Sequence, residues 1–163
     1  MCTRGSNRAL LRGPSTSPLG AMSKPLSLTV CLAFVILALW HFYMALVPGS
    51  GTAGAVPSVE GRPLFTPSRK ATVGVGVVLL LFSALVAATA GMISVGLSRK
   101  ALSWFSFTLA IGLLARAAGE FKYVGFFKRV RGSRFARLDT LLYSPLCLLL
   151  AIGVALVALH NGT

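Results

Sequence analysis

Residues 71–98 read ATVGVGVVLLLFSALVAATAGMISVGLS and contain no charged side chain. A hydrocarbon core about 30 Å thick is crossed by roughly 20 apolar residues rising about 1.5 Å each. A surface helix of a soluble protein keeps one polar face, and this stretch has none, so it reads as a membrane span over 72–97. Within it Ser83, Ala87 and Gly91 recur every four residues, a stripe of small side chains through which a partner helix could approach closely.

The flanks of this segment set the rest of the chain. Arg99 and Lys100 follow at once and read as a very short turn, which makes the second and third spans an antiparallel hairpin. The third span, 101–121, is short of uncharged length, because 101–115 covers only about 22 Å before Arg116. Arg116, and with it Glu120, is therefore expected at the membrane edge, and their i, i+4 spacing allows them to pair. The fourth span is 140–159, with Asp139 placed to cap it and Pro145 placed to bend it. Upstream, a first span over 26–47 ends in Trp40, His41, Phe42 and Tyr43, an aromatic cluster typical of a membrane interface. A cleaved signal peptide ending near Ala53-Gly54-Ala55 is the rival reading, but the apolar run exceeds the usual h-region of about 7–15 residues. Glycines and prolines crowd 48–70 and mark a loop.

Composition agrees with four spans. Of 163 residues 55% are hydrophobic and 12% charged, with a mean hydropathy of +0.80, against about 25% charged in a typical soluble domain. The fold class expected is all-α: an integral membrane four-helix bundle over 22–163 with a basic-aromatic interfacial loop. Residues 1–21, rich in Ser, Gly, Pro and Arg, read as a disordered tail, and Met22-Ser-Lys-Pro offers an alternative start that would leave the tail untranslated.

The 16 Lys and Arg against 3 Asp and Glu would suggest nucleic acid in a soluble chain. Here the bases fall between apolar runs and no groove-reading motif accompanies them, so the partners expected are lipids rather than nucleic acid. The third loop carries Lys122, Lys128, Arg129, Arg131, Arg134 and Arg137 interleaved with aromatic residues, the composition of a segment lying against anionic headgroups. Four spans place the tail, Arg99-Lys100 and the C-terminus on one side and the two longer loops on the other. The bases then divide six against nine, or three against nine from Met22, which predicts both termini outside and the longer loops in the cytoplasm.

Few side chains could carry chemistry. His41, Glu60, Arg116, Glu120, Tyr123, Asp139 and Tyr143 gather towards one end of the bundle on this topology. An Arg that snorkels to phosphate with Glu120 neutralising it would satisfy both without further function. Cys2, Cys31 and Cys147 are far apart and form no metal or redox motif. His160, the second histidine, belongs to the opposite end from His41, which disfavours a bis-histidine haem. No catalytic triad, phosphate loop, H-E-x-x-H or EF-hand pattern occurs, so no catalytic residue, metal or cofactor is assigned.

Three segments then carry a resemblance. The run Arg116-Ala-Ala-Gly-Glu-Phe-Lys-Tyr-Val-Gly-Phe-Phe-Lys-Arg129, followed by Phe135-Ala-Arg-Leu-Asp139-Thr and Tyr143-Ser-Pro-Leu-Cys147, resembles a family of small bacterial four-helix membrane proteins, domain of unknown function 3995. Ala55-Val56-Pro57, Gly61, Leu64-Phe65, Pro67, His41 and Tyr43 are similar to its pattern as well, over most of 25–159. The resemblance implies a bacterial inner-membrane protein of four spans and brings no activity with it. Three functions remain to be weighed: a non-catalytic lipid- or small-molecule-binding bundle or accessory membrane subunit, a small transporter using Arg116 and Glu120, and a membrane-embedded enzyme acting on a lipid or quinone-like substrate. The first needs only small-residue packing and a basic-aromatic loop, both present. A transporter would show broken helices or inverted repeats, and an enzyme would need His41, Glu120 or Asp139 to converge in a pocket.

Overall fold

The computed structural model describes residues 18–47, 58–59, 62–63, 67–119 and 137–161. Four helices carry the fold: α1 (Pro18–Leu46), α2 (Arg69–Thr89), α3 (Arg99–Ala118) and α4 (Ser144–Asn161). A π-helical turn, Asp139–Tyr143, precedes α4 directly. Between α1 and α2 two short strands, β1 (Ser58–Val59) and β2 (Arg62–Pro63), pair antiparallel, Ser58 opposite Pro63. The segments Lys24–Leu46, Arg69–Thr89, Arg99–Ala118 and Asp139–Asn161 are each long and apolar enough to cross a membrane. The all-α four-helix bundle expected from the sequence is therefore the observed one. Helix α1 starts at Pro18, inside the segment expected to be disordered.

The core mixes apolar side chains, Phe34, Val86, Val154 and Val157 among them, with enclosed hydroxyls, and large apolar residues also cover the outside. Ser27, Ser106 and Ser144 are wholly enclosed together with Phe34 and Ala38, while Ile36, Trp104, Ile111 and Leu141 face outward. Small and hydroxyl-bearing residues inside, with large apolar ones outside, is the arrangement expected when lipid rather than water surrounds the helices, because close backbone approach then drives association. The helices form two pairs, α1 on α2 and α3 on α4, bridged about equally by α1 against α4 and by α2 against α3. Between α1 and α2 the Ser83 hydroxyl donates to the Cys31 carbonyl at 3.2 Å, and the Cys31 thiol donates to the Ser83 carbonyl at 3.5 Å. Phe34 and Phe82 meet edge to face at 5.9 Å. Helix α3 is tied to α2 by the Thr89 and Ser106 hydroxyls at 2.9 Å. At the crossing of α4 over α1 only glycine fits, since a Cβ on Gly153 would lie 2.7 Å from Val30 Cγ2.

The hairpin between α2 and α3 corrects the sequence reading. Helix α2 ends at Thr89 rather than continuing to 97, and 90–98 form the link. Gly91, with φ +70°, occupies the left-handed position after the C-cap; its N–H donates to Ala88 O at 3.0 Å, and the Met92 N–H donates to Ala87 O at 2.9 Å. That pair of bonds is a Schellman stop, for which glycine is the favoured residue. Ser83 and Ala87 thus pack inside the chain, while Gly91 is a terminator and not a third member of a helical stripe. Arg99 and Lys100 are not the turn but the first residues of α3, whose N-cap Ser98 accepts from the Ala101 N–H at 3.3 Å. The apolar link residues Met92, Ile93, Val95 and Leu97 made the loop indistinguishable from a span by hydropathy alone.

The same four residues open α2 and α3: Ser68-Arg-Lys-Ala71 and Ser98-Arg-Lys-Ala101. Each serine caps its helix through the alanine N–H, Ser68 at 3.2 Å. Two cations in a first turn oppose the helix dipole by roughly 0.3–1 kcal/mol each. The hairpin puts these two starts at opposite ends of the bundle, and all four cations are exposed.

Candidate functional site

Pro145 is where the local sequence builds the site. It has no N–H to give to the carbonyl four residues back, and its ring crowds that carbonyl. The chain answers with a wider turn: the Ser144 N–H reaches Asp139 O, five residues back. Asp139 consequently lies inside helical structure rather than capping a helix that begins at 140, and the bend expected near Pro145 takes the form of this π turn. Its side chain is fully enclosed.

The enclosed carboxylate meets a cation from another helix. Arg116 Nη2, from the last turn of α3, donates to Asp139 Oδ1 at 3.2 Å. Among the described residues Arg116 pairs with Asp139; Glu120, the partner expected from spacing, lies outside the described residues. The Arg116 side chain is 39% exposed, yet its Nη1 is enclosed and has no hydrogen-bond partner among the described residues. A guanidinium offers five N–H donors, so this one pair leaves donor capacity over.

Beside the pair opens a cleft of about 620 Å³, within the range of roughly 300–1,000 Å³ typical of small-molecule sites. It lies between the two helix pairs at the end bearing the long loops. The C-terminal half of α1 contributes Phe34, Leu37, Trp40, His41 and Met44, and the start of α2 contributes Ala71, Thr72, Val75 and Leu79. Opposite them stand Leu113 and Arg116 of α3, with Tyr143, Leu146, Cys147 and Leu150 of the π turn and α4. The walls are mostly aliphatic and aromatic with polar groups at one end. At the other end of the bundle the Cys31–Ser83 and Thr89–Ser106 contacts close the helices together.

His41 lines the cleft with one ring nitrogen committed. Its Nδ1 lies 2.7 Å from Leu37 O, and a carbonyl can only accept, so Nδ1 carries a proton. In the neutral ring Nε2 is then an acceptor. Trp40 and Tyr43 stack obliquely beside it at 5.7 Å. Thr72 is spoken for, its hydroxyl donating to Ser68 O at 3.2 Å.

Of the residues singled out from sequence, His41, Arg116, Asp139 and Tyr143 are near one another at this end of the bundle. Arg137 is described and exposed. Glu60, Glu120, Tyr123, Lys122, Lys128, Arg129, Arg131 and Arg134 lie outside the described residues. Among the described residues no group of His, Cys, Asp and Glu could hold a metal ion. Sequence reasoning missed Thr72, Val75, Leu113 and Cys147 as cleft residues, because inside an apolar span nothing separates a residue facing a cleft from one facing lipid.

Residues 34–154 match the model of a family described as Protein of unknown function (DUF3995). The chain belongs to this family. The matched region of this DUF3995 protein includes every residue named above as lining the cleft. No curated protein and no solved structure matches the chain.

Proposed function

We propose that this chain is a multi-pass protein of a bacterial inner membrane that holds a membrane-soluble amphiphile in the cleft between its helix pairs, as a non-catalytic binding component. The observation that supports this reading most is the combination in one place: an apolar cleft large enough for a small molecule, lined at its polar end by Arg116, a half-exposed cation whose single ion pair with the enclosed Asp139 leaves donors over. A purely structural bundle gains nothing from leaving that volume open, since lost packing contacts cost stability. The orientation proposed keeps both termini outside and the two longer loops, with nine bases against six, in the cytoplasm. The cleft then opens near the cytoplasmic surface, with the basic third loop against anionic headgroups.

Trp40 lines the cleft and Trp104 faces outward on α3, which makes fluorescence a direct test. In a Trp104→Phe variant, a brominated acyl amphiphile should quench Trp40 saturably, and its unbrominated analogue should reverse the quenching by competition. Quenching that rises linearly and cannot be competed would mean bulk partition only and would contradict the reading.

A further inference from the structure

We propose that the cleft selects an uncharged amphiphile whose polar group both accepts and donates hydrogen bonds, of the glycerol monoester type, over amphiphiles with an ionised head. The proposal rests on the binding role given to the cleft and adds the chemistry of the ligand head. Arg116 and Asp139 already cancel each other's charge at 3.2 Å. An anionic head placed against them would leave a net negative charge in a low-dielectric site, where an uncompensated ion is costly. A neutral carbonyl adds no charge, and it can take one of the guanidinium donors that Asp139 does not use; a bond to a charged donor is stronger than a neutral one. Arg116 Nη1 is itself enclosed without a partner among the described residues, so the donor offered to the cleft comes from the exposed part of a side chain that is 39% exposed.

The second half of the head follows from His41. With Nδ1 committed to Leu37 O, Nε2 of the neutral ring is an acceptor and calls for a donor from the ligand. A carboxylate has none to offer, whereas a glycerol ester carries a carbonyl and free hydroxyls on one head. The remaining described cations near this end, Arg69, Lys70 and Arg137, are exposed at the rim, where water and salt screen them. The walls fix the source: they are apolar and lie at membrane depth, so the ligand comes from the bilayer and not from solution.

Three probes of one chain length separate the outcomes: 1-oleoylglycerol, oleate and 1-oleoylglycerol phosphate, titrated into the full chain in detergent at about pH 9, where the acid heads are ionised, with bound ligand counted by native mass spectrometry. The neutral ester should half-saturate at a concentration at least about tenfold below either anion. The double variant Arg116→Met, Asp139→Leu should weaken ester binding at least about fivefold without tightening either anion, and His41→Phe should weaken ester binding while leaving oleate unchanged. Either anion binding as tightly as the ester, or ester binding unchanged in both variants, overturns the assignment of the head while leaving the cleft a binding site. Failure of all three probes to bind saturably overturns the binding role itself.

Discussion

Removing the two partners of the Arg116–Asp139 pair should cost very different amounts, because their burial differs so much. Arg116→Met takes the Arg116 cation away from the Asp139 carboxylate, which is 0% exposed. Breaking a buried pair in this way typically costs about 3–5 kcal/mol, or a fall in Tm of roughly 6–20 °C for a chain of this size. Asp139→Leu instead leaves Arg116, whose side chain is 39% exposed and at the last turn of α3, free to extend towards headgroups. Its loss should stay near the surface-pair value of about 1 kcal/mol. The double variant replaces the pair with apolar groups and should return to within about 1 kcal/mol of the parent, since such replacements are often neutral. Thermal unfolding in detergent of the parent, both single variants and the double variant gives the coupling, expected at about 3–6 kcal/mol from the two single losses less that of the double variant. Equal losses in the two single variants, or a coupling near zero, would refute the reasoning from burial.

Gly153→Ala should push α4 away from Val30 and cost about 1–3 kcal/mol, read as a lower Tm in detergent, whereas Gly112→Ala, with nothing within 4 Å of its added Cβ, should be neutral or slightly stabilising. Ser106→Ala should cost about 1–2 kcal/mol through the lost bond to the Thr89 hydroxyl; a change under a few tenths would mean that the bond the Thr89 hydroxyl donates to Leu85 O at 2.8 Å suffices alone. A cysteine at Ser133, in a variant lacking the native cysteines, should resist an impermeant thiol reagent in intact spheroplasts, and ready labelling would reverse the proposed orientation.

Most of the bundle was legible because charge-free length is itself the signal for a membrane helix. Three of the four spans lie within a few residues of their expected bounds. The second did not, because Met92, Ile93, Val95 and Leu97 keep the link as apolar as the helix, so hydropathy carried the expected span past its end. Gly91 was the visible clue: a glycine every fourth residue can extend a small-residue stripe or end a helix, and only the bonds from Gly91 and Met92 decide between them. The polar end of the site was legible as types of residue and not as partners. Spacing of four favoured Arg116 with Glu120, while the contact with Asp139 spans a long loop and depends on the π turn that Pro145 imposes. The apolar walls left no mark in sequence.

The binding role of the cleft is tested most directly by where a ligand touches the protein in a bilayer. A monoacylglycerol carrying a diazirine in its acyl chain, photolysed in vesicles containing the full chain, should label Leu37, Leu79, Leu113 and Leu146, and excess unmodified monoacylglycerol should suppress that labelling. Labelling spread evenly over the outward residues Ile36, Leu81, Ile111 and Leu149, with no competition at the cleft, would contradict the account.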